Sequence, residues 1–156
     1  MSQTDVRTDA VAGVHAGALL SLAAVVAWVS GAPAVFPSLG PSAFVLATGR
    51  SKPSARRIVG GHAVGVAAGL VSYLGVTAVV AVPSAPLEFD PPWLLVSAVF
   101  ALVLTTTGMR LTRTVHPPAC ATTLIVALGL LGPKSALLVV VPAVVSLLVV
   151  DRAITH

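Results

Sequence analysis

The run Thr114-Val-His-Pro-Pro-Ala119 places an imidazole at the head of a long uncharged stretch. An imidazole there has two uses. It can hydrogen-bond an anion or pick up a proton that travels with one. It can also stay neutral and lock a bend by bonding a backbone carbonyl. Both readings of His116 stand on the sequence alone. His62 follows Gly60 and Gly61 one turn into another apolar stretch. It either faces the same interior or meets the water interface, and the interface is the expectation. His15 and His156 lie near the chain ends and are expected in solvent. Hydroxyls come from Ser38, Ser42, Thr122 and Thr123, with Thr105, Thr106 and Thr107 farther off. At least two of those last three are expected to bond their own helix backbone.

Several chemistries are excluded. Cys120 is the sole cysteine, so no intrachain disulfide or multi-cysteine metal site forms. Widely spaced histidines without a carboxylate or cysteine cluster make no metal site. No cofactor is implied. No paired carboxylates and no nucleophile with a base lie in the apolar stretches, so an enzyme is not expected.

The elements that must position these groups are membrane elements. No Asp, Glu, Lys or Arg occurs in residues 10–49, 58–87, 91–109, 114–133 or 135–150. Charged residues make up 9% of the chain, against about a quarter in soluble domains. Mean hydropathy is +1.00. Apolar runs of about 18 residues or more can cross a bilayer. The reading is an all-α, multi-pass integral protein of a prokaryotic-type cell membrane. A tail over residues 1–10 precedes a single transmembrane domain over residues 11–152. The first span is expected to be retained, because its apolar run is longer than a signal-peptide core. The net charge of +4 reads as membrane orientation, not as a nucleic-acid surface, since basic side chains mark cytoplasmic loops.

Four spans are ordinary helices: Val11–Gly31, Ile58–Val82, Trp93–Met109 and Ser135–Val150. Gly60, Gly61, Gly65 and Gly69 in the second permit close helix packing. Two further stretches, Pro33–Gly49 and Thr114–Gly129, open with prolines. Proline suits the first turn of a helix and pushes the preceding residue toward an extended shape. Each stretch should therefore run extended to Gly40 or His116 and turn helical from Pro41 or Pro117. Gly40-Pro41-Ser42-Ala43 aligns with His116-Pro117-Pro118-Ala119. This suggests two three-element repeats, about 11–82 and 93–152, in inverted arrangement. Six crossings with both ends inside place most basic residues on one side, with Glu88 and Asp90 opposite and Lys134 the exception. In the alternative, four spans with two re-entrant segments, both ends lie outside. Lys134 then obeys the rule and Arg7 and Arg152 break it, so the count favours six crossings.

Broken helices at matching places in two halves point to a transporter binding site. Free amides at a helix start carry partial positive charge. The expected donors are Ser42, Ala43 and Phe44 on one side, and Ala119, Cys120 and Ala121 on the other. Pro41, Pro117 and Pro118 mark the two ends, and Thr122 adds a hydroxyl. The expected ligand is a small monovalent inorganic anion. Arg56, Arg57, Arg110 and Arg113 would gather anions at the cytoplasmic mouth, or serve only to set orientation. Faces rich in Gly and Ala suggest a homo-oligomer in the lipid bilayer. The alternative class is a non-transporting membrane subunit or sensor.

The His116-Pro117-Pro118 motif, the upstream Leu39-Gly-Pro-Ser-Ala43, the basic loop and Gly60-Gly61-His62 together resemble the HPP family of small integral membrane proteins. The resemblance runs over roughly residues 34–142. It implies a polytopic membrane protein. Plant relatives are implicated in nitrite transport, which makes a nitrite-like anion the expected cargo.

Overall fold

The computed structural model describes residues 3–49, 52–80 and 92–155. The expected acidic loop with Glu88 and Asp90, together with Arg50 and His156, lies outside the described residues. Six helices follow in order: α1 Gln3–Val29, α2 Val35–Thr48, α3 Ala55–Thr77, α4 Pro92–Leu111, α5 Ala119–Ala127 and α6 Pro133–Thr155. No strand occurs among the described residues. The four ordinary spans are found as α1, α3, α4 and α6, each long and apolar enough to cross a membrane. α1 begins at Gln3, so much of the expected tail is helical.

Local chemistry explains the ends. Ser54 caps α3, its hydroxyl accepting from the Arg57 amide at 3.4 Å. Pro92 and Pro133 open α4 and α6 at the first helical position, where a missing N–H costs nothing. Three helices end in the same left-handed turn, in which two amides reach back to the last carbonyls. After α1, Gly31 takes φ +63, and the Ala32 amide bonds the Ala27 carbonyl at 3.1 Å. After α5, Gly129 takes φ +71, and Leu130 bonds Ile125 at 3.0 Å. After α4 the same turn carries Arg113 at φ 57, and Thr114 bonds Met109 at 2.9 Å.

The helices run alternately up and down the bundle. Residues 114–129 lie alongside α3 and point the same way. A Cβ placed at Gly60 would meet Thr114, at Gly61 His116, at Gly65 Thr123, at Gly69 Val126, and at Gly129 the Tyr73 ring. Glycines at i, i+4 and i+8 share one helix face, so α3 presents a groove into which this segment settles. The expectation that these glycines serve packing is met at Gly60, Gly61, Gly65 and Gly69. α4 runs opposite to both: Gly108 lies against Val64, and the Ser97 hydroxyl donates to the Ala127 carbonyl at 2.9 Å. At one end of the bundle Lys52 Nζ donates to both carboxylate oxygens of Asp151, at 2.8 and 3.0 Å. His15 Nε2 sits 3.1 Å from the same carboxylate, at ion-pair distance without hydrogen-bond alignment. His15 is thus largely buried beside an acid, not in solvent as expected.

The main core joins Leu19, Leu39, Leu46, Ile58, Val140 and Leu147 from α1, α2, α3 and α6. Large apolar side chains also cover the outside, among them Val14, Trp28, Phe44, Val71, Leu138 and Val149. An apolar exterior this extensive suits lipid, because a soluble protein confines large apolar patches to interfaces.

One expectation about the interruptions fails. α2 starts at Val35, ahead of Pro41, and continues through it. Its first turn closes on Ala32 and Pro33, whose carbonyls accept from Val35 and Phe36 at 3.0 and 3.1 Å. Pro33 thus sets up the helix start. Pro41 sits on an exposed face, where its ring only removes the bond that would reach the Pro37 carbonyl. The second interruption follows the expectation closely. The chain is non-helical through His116, turns at Pro117 and Pro118, and is helical from Ala119.

Candidate functional site

The expected ring of free amides does not form. Ser42, Ala43 and Phe44 lie inside α2, beyond its first turn, where helix amides bond carbonyls one turn back. The amides of Ala119, Cys120 and Ala121 bond the carbonyls of His116, Pro117 and Pro118 at 3.0, 3.0 and 3.1 Å. Two facing helix ends with free amides for a negative cargo therefore do not occur at these segments. Side chains converge instead.

Ser42 Oγ lies 2.9 Å from His62 Nε2 and 3.0 Å from His116 Nε2. His62 Nδ1 lies 2.7 Å from Thr122 Oγ1. The two rings sit 5.6 Å apart, tilted by 54°. Ser42, His62 and Thr122 are fully buried, and His116 is 1% exposed. Four polar groups from four places in the sequence form one unbroken hydrogen-bonded row. Each element has a reason to deliver its member. The α3 groove brings in the 114–129 segment, so Gly61, directly before His62, lets His116 approach: a Cβ at Gly61 would lie 2.8 Å from the His116 Cβ. α2 is nested between α1 and α5 and turns Ser42 inward on the same face as Ser38 and Leu39. His62 sits seven residues into α3, so the row lies about 10 Å in from that helix end, at a rise of about 1.5 Å per residue.

Of the expected site residues, Ser42, His116 and Thr122 come together, and Ala43 and Ala119 are buried around them. Pro41 and Pro117 face outward, and Pro118 and Cys120 are partly exposed outside the row. Sequence reasoning placed His62 at the interface; the structure buries it at the centre of the row. Its signal was the Gly-Gly-His order, since two glycines leave room for a neighbouring chain directly beside the histidine. A second polar contact flanks the row on α5: Thr105 Oγ1 and Thr123 Oγ1 lie 2.9 Å apart. Thr105 thus bonds another helix, not its own backbone.

The arginines gather at the end where this row is nearest the surface. Arg57, Arg110, Arg113 and Val115 line a cleft of about 400 Å³. Val115 directly precedes His116. Arg56 stands aside, its guanidinium donating to the Thr112 carbonyl at 3.2 Å. No group of three or more His, Cys, Asp or Glu side chains that could hold a metal occurs among the described residues.

A family model described as HPP, transmembrane region, matches residues 2–155. The chain belongs to the HPP family. The motif behind that name here supplies one imidazole of the row and, through Pro117 and Pro118, the turn that starts α5. A search of curated proteins returned no match, and a search of solved structures returned none. Family membership and the four apolar spans make this HPP chain an integral membrane protein.

Proposed function

We propose that this HPP-family protein moves a small monovalent anion across its membrane, with a nitrite-like ion as the cargo. One observation carries the reading: an arginine-lined cleft opens beside Val115, and the next residue belongs to a buried row of uncharged hydrogen-bonding groups. Arginines concentrate anions at a mouth and repel cations. Neutral hydroxyls and imidazoles inside can replace water around an anion without holding it as tightly as a fixed charge would. Among the described residues no carboxylate is bonded to the row, and Asp151 is bonded to Lys52.

Basic residues favour the cytoplasmic side, so the arginine end is assigned to the cytoplasm. The up-and-down course of the helices supports six crossings and inverted halves. The exposed Phe36 and Phe44, beside outward Pro37 and Pro41, suit contact with a second copy in the bilayer. A non-transporting subunit or sensor is the competing reading. It is favoured by the near-complete burial of both histidines, which suits a purely structural row.

Purified protein in liposomes separates the two. Nitrite, nitrate and chloride are offered in turn, and uptake is compared with protein-free vesicles. Uptake of at least one of them above that background is the expected result. No uptake of any of the three, with or without a proton gradient, ends the transport reading.

A further inference from the structure

The hydrogen count of the buried row carries a second inference, which rests on the anion-transport reading. Ser42 Oγ stands between two Nε2 atoms, at 2.9 and 3.0 Å. A hydroxyl has one proton to donate and two lone pairs that accept. In the neutral tautomers that engage the Ser42 proton, Ser42 donates to one Nε2 and accepts the N–H of the other. Thr122 completes the row by bonding His62 Nδ1. The Ser42 proton is then committed to a ring nitrogen.

One added proton changes that. The site that reorganises the row is the Nε2 that was accepting. Its lone pair takes the proton, an N–H bond forms, and no covalent bond breaks. Both rings now point N–H groups at Ser42 Oγ, which accepts twice. The Ser42 hydroxyl proton loses its acceptor and is free to turn to a third group. A positive charge and an uncommitted O–H therefore arise together at one place, and each favours a negative ligand.

We propose that Ser42 is the coupling residue of a proton–anion symporter: one proton taken by the His62–His116 pair releases the Ser42 hydroxyl to one monovalent anion. The two cargoes then move together without net charge. Release of the anion returns Ser42 to the ring nitrogen and expels the proton, so the cycle closes. The groups around the pair are consistent with this count. α2 offers Ser42, α3 offers His62, α5 offers Thr122, and the turn before α5 offers His116. Among the described residues, the charged side chains at the same end of the bundle include the cleft arginines, Arg56 and the joined Lys52, Asp151 and His15. Coupling of this kind is reciprocal: a proton that strengthens anion binding must itself be held more tightly when the anion is present.

The test uses the full chain in liposomes containing a pH-sensitive dye, with nitrite outside and the membrane potential clamped by potassium and valinomycin. Protein-free vesicles give the baseline, because the neutral acid crosses lipid unaided. An inward proton gradient is expected to drive nitrite uptake with matching acidification, at a rate indifferent to the clamped potential. Ser42→Ala should lower gradient-driven uptake at least about tenfold, and Ser42→Thr, which keeps the hydroxyl, should restore most of it. Nitrite flux that follows the potential and ignores the proton gradient overturns the coupling and leaves anion transport standing. Proton entry that does not depend on nitrite also overturns the coupling. Undiminished coupling in Ser42→Ala removes Ser42 from the mechanism. Should Ser42→Ala fail to fold, the response of the unaltered protein to potential decides the matter alone.

Discussion

Residues 33–49 and 114–129 each bring one group to the same contact, Ser42 from the first and His116 from the second, yet they are held there in different ways. The second segment lies in the glycine groove of α3 at backbone distance. The first packs as a whole helix against α1, where a Cβ added at Gly40 would lie an ordinary 3.8 Å from Leu20 Cδ1. Just beyond it, the Lys52–Asp151 pair ties the chain to α6. One half of the site is positioned by what its neighbour lacks, a Cβ. The other is positioned by side-chain packing and a charge pair.

The sharpest way to break this contrast is one methyl group. A Cβ at Gly65 would lie 2.8 Å from Thr123 Oγ1 and 3.0 Å from the Ala119 carbonyl oxygen. Backbone on the far side cannot rotate away, and overpacking of this kind costs about 3 kcal/mol. Gly65→Ala should therefore lower the thermal midpoint in detergent steeply and abolish transport. Gly40→Ala meets only ordinary contact, and alanine is the better helix former by about 0.5–1 kcal/mol. It should be neutral or slightly stabilising. Equal damage from the two substitutions would end the distinction between groove and helix face.

The next test removes the ring that joins the two segments. His62 bonds Ser42 of the first and Thr122 of the second. His62→Ala takes one of the two bonds of Ser42 and leaves Thr122 without its imidazole partner, at a cost of about 2 kcal/mol for buried groups that lose partners. His116→Ala takes only one bond from Ser42 and should cost less. Both should lose transport, so a comparison of midpoints separates architecture from function. A midpoint lowered more by His116→Ala than by His62→Ala would show that His62 is not the joint.

The four spans were readable because long charge-free runs leave no other structure for the chain. The start of α5 was readable too, since two consecutive prolines forbid a helix before them. α2 was misplaced because three prolines share its sequence and any one could open a helix. Pro33 does, and Pro37 and Pro41, one and two turns on, are carried on its outer face. The row itself was half legible. Ser42, His116 and Thr122 were named, though as neighbours of backbone donors. His62 was missed because its depth depends on how far α3 extends before water, and on the glycine groove that admits the second segment. Neither is a property of the residue's own neighbourhood. Asp151 drew no notice in the sequence, because its partner Lys52 lies 99 positions away.

The charge pair offers a milder test of the first segment's hold. Asp151 is 3% exposed, but the Lys52 side chain is 39% exposed, so solvent screens much of the attraction. Asp151→Asn should cost about 1 kcal/mol, and the difference from the unaltered protein should shrink as salt rises. A loss that does not vary with salt would mean that packing alone holds the end of this segment.

The smallest effect separates the two segments by how each begins. α1 hands over to the first segment through a left-handed Gly31, whereas α4 hands over to the second through a left-handed Arg113. The hydrogen bonds of the two turns match, so glycine would serve in both. A residue with a Cβ costs about 1 kcal/mol in that conformation, partly offset by the roughly 0.5 kcal/mol that glycine loses in ordering the chain. Arg113→Gly should therefore stabilise the folded protein by about 0.5 kcal/mol. It should also weaken anion uptake, because the side chain that lines the cleft is gone. Opposite signs for stability and transport at one residue would show strain kept for function. If Arg113→Gly is more stable and transports as well as before, the cleft plays no part in capturing the cargo. The asymmetry between the two turns would then have only a structural meaning.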